Sequence, residues 1–136
     1  MAHPGGMSTD TNDTSTVSPV AWFEIGTEDP AGARSFYGEL FGWTFNVDGP
    51  YSEISYGPGQ PPQGGIQDTS TPLPDGTPRN YAIPYVLVQD VEASCAAVEE
   101  HGGKVVVPAT TVPNGLVYAH VRDPFGNHFG LFKLPA

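Results

Sequence analysis

One spacing occurs twice in this chain and constrains its fold more than any other feature. Asp29-Pro30 lies thirteen residues before Gly42, and Asp90-Val91 bears the same relation to Gly103. Aspartate is a preferred helix N-cap, and proline is tolerated at the first helical position because its missing N–H would find no partner there. Glycine accepts the left-handed backbone that ends a helix. Between cap and glycine, Ala33, Phe36, Tyr37 and Leu40 form one apolar stripe, and Val91, Ser94, Cys95 and Val98 form another. Each segment therefore predicts one amphipathic helix.

Strand patterns surround both helices. Residues 20–25 alternate, with Trp22 and Glu24 on one face and Ala21, Phe23 and Ile25 on the other. Short strands are expected over 43–47, 51–56 and 64–67, separated by Gly/Pro turns. After a linker at 69–80, rich in Thr, Pro, Asp and Gly, the order repeats as strands 81–88, 104–107, 116–122 and 128–134 around the second helix. The reading is an α+β fold of two tandem βαβββ modules, 19–69 and 81–134, within a single domain over 19–136. Residues 1–18 carry almost nothing apolar and are expected to be a disordered tail, with Met7 a second candidate start.

A chain of 136 residues can bury a core without staples. Its lone cysteine, Cys95, cannot form an internal disulfide. There is no apolar run of the ~18–20 residues that a membrane span needs, and no signal-peptide pattern. A cytoplasmic location is the expectation. The net charge of −10 would repel a phosphate backbone, so nucleic acid is excluded as a partner, as is a membrane. The charge is uneven: residues 20–69 hold one base, Arg34, and seven acids, whereas 81–134 hold three bases and five acids. Few cations are available to hold an anionic ligand.

Two segments resemble the vicinal oxygen chelate superfamily of glyoxalases, extradiol dioxygenases and bleomycin-resistance proteins. Asp29 followed by Ser35-Phe36-Tyr37-Gly38-Glu39-Leu40-Phe41-Gly42-Trp43 is similar to that family's helix end, and Arg122-Asp123-Pro124-Phe125-Gly126-Asn127 to its turn before the last strand. The resemblance covers nearly all of 19–134. It implies that the two modules form a cup-shaped, half-open barrel enclosing a small molecule, commonly in a homodimer. By itself the Asp123 turn reads as structural, an Asx turn with φ fixed at Pro124.

The resemblance also implies metal ligands at defined positions, and there this chain departs from the pattern. Counting from the caps and the turn, those positions hold Trp22, Ile83 and Gly130, and the fourth falls among Gly64, Gly65 and Gln67. No side chain at the first three can bind an ion, so no cofactor is expected. A divalent metal enters only through a rebuilt set of Glu24, His120 and His128, two histidines and a carboxylate suited to Fe(II) or Zn(II).

With the family's strand directions, Trp22, Glu24, Tyr85, Tyr118, His120 and His128 face the cup. Rings suit a flat ligand by stacking, or else simply fill the barrel. Glu24, in an otherwise apolar strand, pairs with Arg122, caps a turn, or acts as a general base with His120 as its partner acid or hydrogen-bond donor. The site expectation is Glu24 and His120 for chemistry, and Trp22, Tyr85, Tyr118, His128 and Arg122 for binding. The leading expectation is a metal-independent binder of an aromatic or cytotoxic compound or a biosynthetic intermediate. Its rival is a lyase, isomerase or dioxygenase-type enzyme, and a protein-interaction domain is a third reading.

Overall fold

The computed structural model describes residues 17–136. The tail expected over 1–18 therefore lies outside the described residues except for Val17 and Ser18, both exposed. Strand β1 (Val20–Thr27) leads into helix α1 (Pro30–Phe41), then β2 (Thr44–Asp48), β3 (Tyr51–Ser55) and β4 (Pro62–Asp68). The second module repeats the order as β5 (Tyr81–Leu87), α2 (Val91–Glu100), β6 (Lys104–Thr111), β7 (Val117–Arg122) and β8 (His128–Lys133).

Both helices start as their caps dictate. The Asp29 carboxylate accepts the Gly32 N–H at 3.0 Å, and that of Asp90 accepts the Ala93 N–H at 3.0 Å. Gly42 ends α1 in the left-handed region, with φ 72°. At the end of α2, His101 is the cap and Gly102 takes the positive φ.

The strands form one mixed sheet in the order β2-β3-β4-β1-β5-β8-β7-β6. Within each module the first strand runs parallel to the last, β1 beside β4 and β5 beside β8. The modules join where β1 and β5 lie antiparallel at the centre of the sheet. Glu24 and Tyr85, each five residues before its helix cap, occupy twin positions: Glu24 is registered with Gly65 of β4, and Tyr85 with Gly130 of β8.

Both helices cover the same face. Val91 and Cys95 of α2 are buried against Ala119, Val121 and Leu131, with Val98 packed alongside. On α1 the apolar stripe is only half used. Ala33 and Tyr37 pack against Ile25, Ile54 and Ile66, whereas Phe36 and Leu40 are 60% and 58% exposed. Tyr37 stacks on Trp43 at 5.4 Å, and Trp43 contacts Phe41 at 5.3 Å and Tyr56 at 5.9 Å, so an aromatic cluster replaces the rest of the stripe as cover. Strand β6 runs four residues beyond its expected end, through two register shifts that break the alternation a sequence reading relies on. The other face carries no described helix, and it holds the site.

Candidate functional site

Strand alternation delivers the side chains. Trp22 and Glu24 of β1 share the helix-free face with Tyr81, Ile83 and Tyr85 of β5, because these residues are direct cross-strand partners or alternate with them. The register continues from Tyr85 through Gly130 to His120, so all three stand on one rung.

Glycines make room for the rings. A Cβ at Gly26 would collide with the ring of Tyr81, one at Gly65 with the end of Tyr51, and one at Gly130 with the ring of Tyr85. Each tyrosine lies flat over a glycine of a neighbouring strand, and the three hydroxyls converge on one carboxylate. Tyr51 donates to Glu24 Oε1 at 2.9 Å, while Tyr81 and Tyr85 donate to Oε2 at 2.6 and 3.1 Å. The indole N–H of Trp22 donates to the Tyr51 oxygen at 2.9 Å. An indole N–H can only donate, so the single hydrogen of Tyr51 is committed to Glu24. On the other side the Tyr85 hydroxyl lies 3.0 Å from Nε2 of His120, and Nδ1 of His120 lies 2.7 Å from Nε2 of His128. The rings of Tyr81 and Tyr118 stand edge-on to these imidazoles.

Electrostatics follow from burial. Desolvation raises the pKa of Glu24, against the lowering effect of the bonds from Tyr81, Tyr51 and Tyr85. Burial, followed by the neighbouring Glu24 charge, raises the three bonded phenols and Tyr118, which stay protonated. Burial and then His128 push His120 down to about 4, and burial followed by Arg122 lowers His128. At neutral pH both imidazoles are uncharged. Burial raises the Cys95 thiol, which packs as a small apolar group away from this face.

The structure brings Glu24, Tyr85, His120 and His128 into one hydrogen-bonded chain, with Trp22 joined through Tyr51 and Tyr118 at the flank. It does not bring Arg122 to Glu24, and the expected ion pair between them is absent. Arg122 instead donates to the Gly126 carbonyl at 3.1 Å, because the 123–127 turn folds back within its reach while Glu24 is already filled by hydroxyls. That turn is built as expected, with Asp123 accepting the N–H groups of Phe125 and Asn127 at 2.9 Å each. The sequence reading missed Tyr51 and Tyr81. The signal was a glycine on the neighbouring strand, Gly26 directly across from Tyr81 and Gly65 diagonal to Tyr51, which only register reveals.

The described residues at the expected ligand positions do not fit an ion. Trp22, Ile83 and Gly130 offer no ligand where the family's pattern has one. Among the described residues no group of three or more His, Cys, Asp or Glu is placed to hold a metal. The rebuilt set of Glu24, His120 and His128 is not such a group. The Tyr85 hydroxyl stands between Glu24 and His120, and both nitrogens of His120 are engaged by neighbours rather than free to ligate.

The floor of the cup is closed by its own side chains. Glu24, Ile83, Tyr85, His120 and Phe132 are buried, whereas Trp22, Tyr51, Tyr81, Tyr118 and His128 form a half-buried rim. Two cavities lie elsewhere. One, of ≈ 650 Å³, runs between Pro19, Leu134 and α2, and the other, of ≈ 410 Å³, lies between α1 and the start of β5. No described helix is long and apolar enough to cross a membrane.

Comparison with known proteins follows the same lines. A family model described as Glyoxalase/Bleomycin resistance protein/Dioxygenase superfamily matches residues 20–131. The chain is 29% identical over 125 residues to "Putative glyoxylase CFP32" of Mycobacterium bovis and of Mycobacterium tuberculosis. That match takes in 82% of this chain and 44% of the relative, so the chain spans less than half the length of the curated relatives it matches. Among solved structures, an NAD-dependent benzaldehyde dehydrogenase from Legionella pneumophila superposes with a TM-score of 0.60 at 14% identity, over 83% of this chain and 97% of that one. A Mn(II)-bound glyoxalase from Novosphingobium aromaticivorans gives 0.53 at 18% identity, over 86% of this chain and 40% of its own. At these identities the structural likeness concerns the fold.

Proposed function

We propose, from the premise that the chain belongs to the glyoxalase/bleomycin resistance protein/dioxygenase superfamily, that it is a metal-independent binder of a neutral or cationic aromatic compound. The observation that carries this reading is the rim of half-buried rings around a buried carboxylate to which no cation among the described residues is bonded. A planar ligand stacks on Trp22 and Tyr118, each well-placed ring pair contributing about 0.5–1.5 kcal/mol beyond area burial. Anionic ligands are usually gripped by a bidentate arginine, and the one arginine on this face is engaged by a turn carbonyl.

The unit that does this is the domain over 19–136, acting in the cytoplasm as a homodimer. Three large apolar residues of α1, Phe36, Leu40 and Phe41, are exposed and supply a surface for a second copy. The second reading is an acid–base enzyme using Glu24 and His120, favoured by the hydrogen-bonded chain that links them through Tyr85.

The test is a calorimetric screen of planar aromatic compounds against phosphonates and glutathione conjugates. Planar compounds are expected to bind, and Trp22→Ala to weaken the best of them by tenfold or more with the fold intact. Binding of the anions alone, or an unchanged affinity in Trp22→Ala, would overturn the reading.

A further inference from the structure

The hydrogens of the buried network can be counted, and the count allows two arrangements. With Glu24 ionised, Tyr85 gives its one hydrogen to the carboxylate, so Nε2 of His120 must donate to the Tyr85 oxygen. A neutral imidazole carries one hydrogen, so Nδ1 of His120 is then an acceptor and Nε2 of His128 donates to it. Every donor points toward Glu24, and Nδ1 of His128 is left as a bare acceptor on a half-buried ring. With Glu24 protonated, every bond reverses: Glu24 donates to Tyr85, Tyr85 to Nε2 of His120, and Nδ1 of His120 to Nε2 of His128. Nδ1 of His128 then carries a hydrogen.

The second arrangement holds one proton more than the first, and no residue between the ends gains or loses charge. We infer that the helix-free face carries a proton-transfer chain, with Nδ1 of His128 as its outer terminus, Tyr85 and His120 as its links, and Glu24 as its store. One proton enters at His128 Nδ1, three hydrogens each pass to the neighbouring residue, and one arrives at Glu24 Oε2. The ligand class this serves is a neutral compound with an ionisable hydroxyl, such as a phenol. The hydroxyl gives its proton to His128, the carboxylate is neutralised, and the negative charge passes from Glu24 to the bound ligand.

The other two hydroxyls on Glu24 offer no exit among the described residues. Tyr51 is locked by the Trp22 N–H, and Tyr81 has no other described acceptor than Glu24. The surroundings keep the links uncharged. Burial and then Arg122, paired with His128 across β7 and β8, oppose a cation on that ring, and burial opposes one on His120. The other titratable groups around the chain are Tyr51 and Glu53 on β3, Tyr81 on β5, Tyr118 on β7, and Lys104 on β6 opposite Arg122.

The test needs no ligand, so it stands apart from the binding reading above. Long-range proton–nitrogen NMR on the ¹⁵N-histidine-labelled protein reads which nitrogen of each ring is protonated. As the pH is lowered from alkaline to acid, His120 and His128 are expected to switch together from the Nε2–H to the Nδ1–H form, with one shared midpoint, before either ring becomes doubly protonated. Rings that keep their tautomer, or that charge without switching, would overturn the chain. Tyr85→Phe keeps the ring over Gly130 and removes only the linking oxygen, so in that variant the switch is expected to disappear. A switch that persists without the hydroxyl would equally overturn it. If the variant does not fold, the titration of the natural protein decides alone.

Discussion

Gly130→Ala isolates the packing that builds the site. Gly130 sits in a regular strand without a positive φ, so alanine fits its backbone. With space beside it, such a change should stabilise a strand by about 0.5–1 kcal/mol. Here the added methyl would lie 2.6 Å from two ring carbons of Tyr85, and that residue is only 4% exposed. Overpacking of this kind costs about 1–3 kcal/mol. A displaced ring also weakens the Tyr85 hydrogen bond to a buried carboxylate, at about 1.5–3 kcal/mol for a bond to a charged group. The expected net effect is a loss of about 3 kcal/mol. At a urea m-value of about 2 kcal/mol/M, the unfolding midpoint followed by tryptophan fluorescence should fall by roughly 1.5 M. The control is Tyr85→Ala, in whose background Gly130→Ala should cost little, giving a strongly non-additive cycle. A midpoint that is unchanged or raised in Gly130→Ala, or the same loss with and without the Tyr85 ring, would refute the reasoning.

Four other outcomes can be checked. Stability should decline as pH falls from about 6.5 toward 4, because the unfolded chain takes up protons that His120 resists, by on the order of 3 kcal/mol from that residue alone; denaturant titrations of His120→Asn should lack most of this limb. Glu24 acts with the opposite sign. Its raised pKa means stability is greatest while it is protonated and is lost as pH rises through its folded value, a limb that Glu24→Gln should remove. Elemental analysis of the purified protein should find well under one tightly bound Zn, Fe, Mn or Ni per chain, and stoichiometric metal lost on mutating His120 would contradict the binding reading. Sedimentation at tens of micromolar should show a dimer, and Phe36→Asp with Leu40→Asp should shift it to monomer while leaving the circular dichroism unchanged, since both side chains are exposed.

Much of the architecture was legible because it rests on local chemistry. Asp29, Pro30 and Gly42, and Asp90 with Gly102 and Gly103, mark helix ends by rules that need no tertiary context, and their repetition gives the module count. Period-two alternation likewise put Trp22 and Glu24 on one face, and the family resemblance implied that Tyr85, Tyr118, His120 and His128 share it. What alternation cannot supply is lateral register. Whether Glu24 meets Arg122 or Tyr51 depends on which residues stand abreast on strands far apart in sequence, and the Gly65 and Gly26 berths that admit Tyr51 and Tyr81 exist only across strands. The half-exposed stripe of α1 escaped for a related reason. A helical pattern tells which side is apolar, but not how much of it a neighbouring aromatic cluster leaves uncovered.

The twin positions of Glu24 and Tyr85 have a consequence for how anything can lie in the cup. Two like modules joined along antiparallel central strands would offer a guest two equal poses, related by half a turn. Here one twin is a carboxylate and the other a phenol, and the imidazole pair stands on the second module's side alone. The half-turn therefore exchanges an acceptor for a donor, and the two poses differ in energy. A flat guest with one polar edge would then be read in a single sense, as a key with one bevelled side is, because the doubled fold has a front and a back.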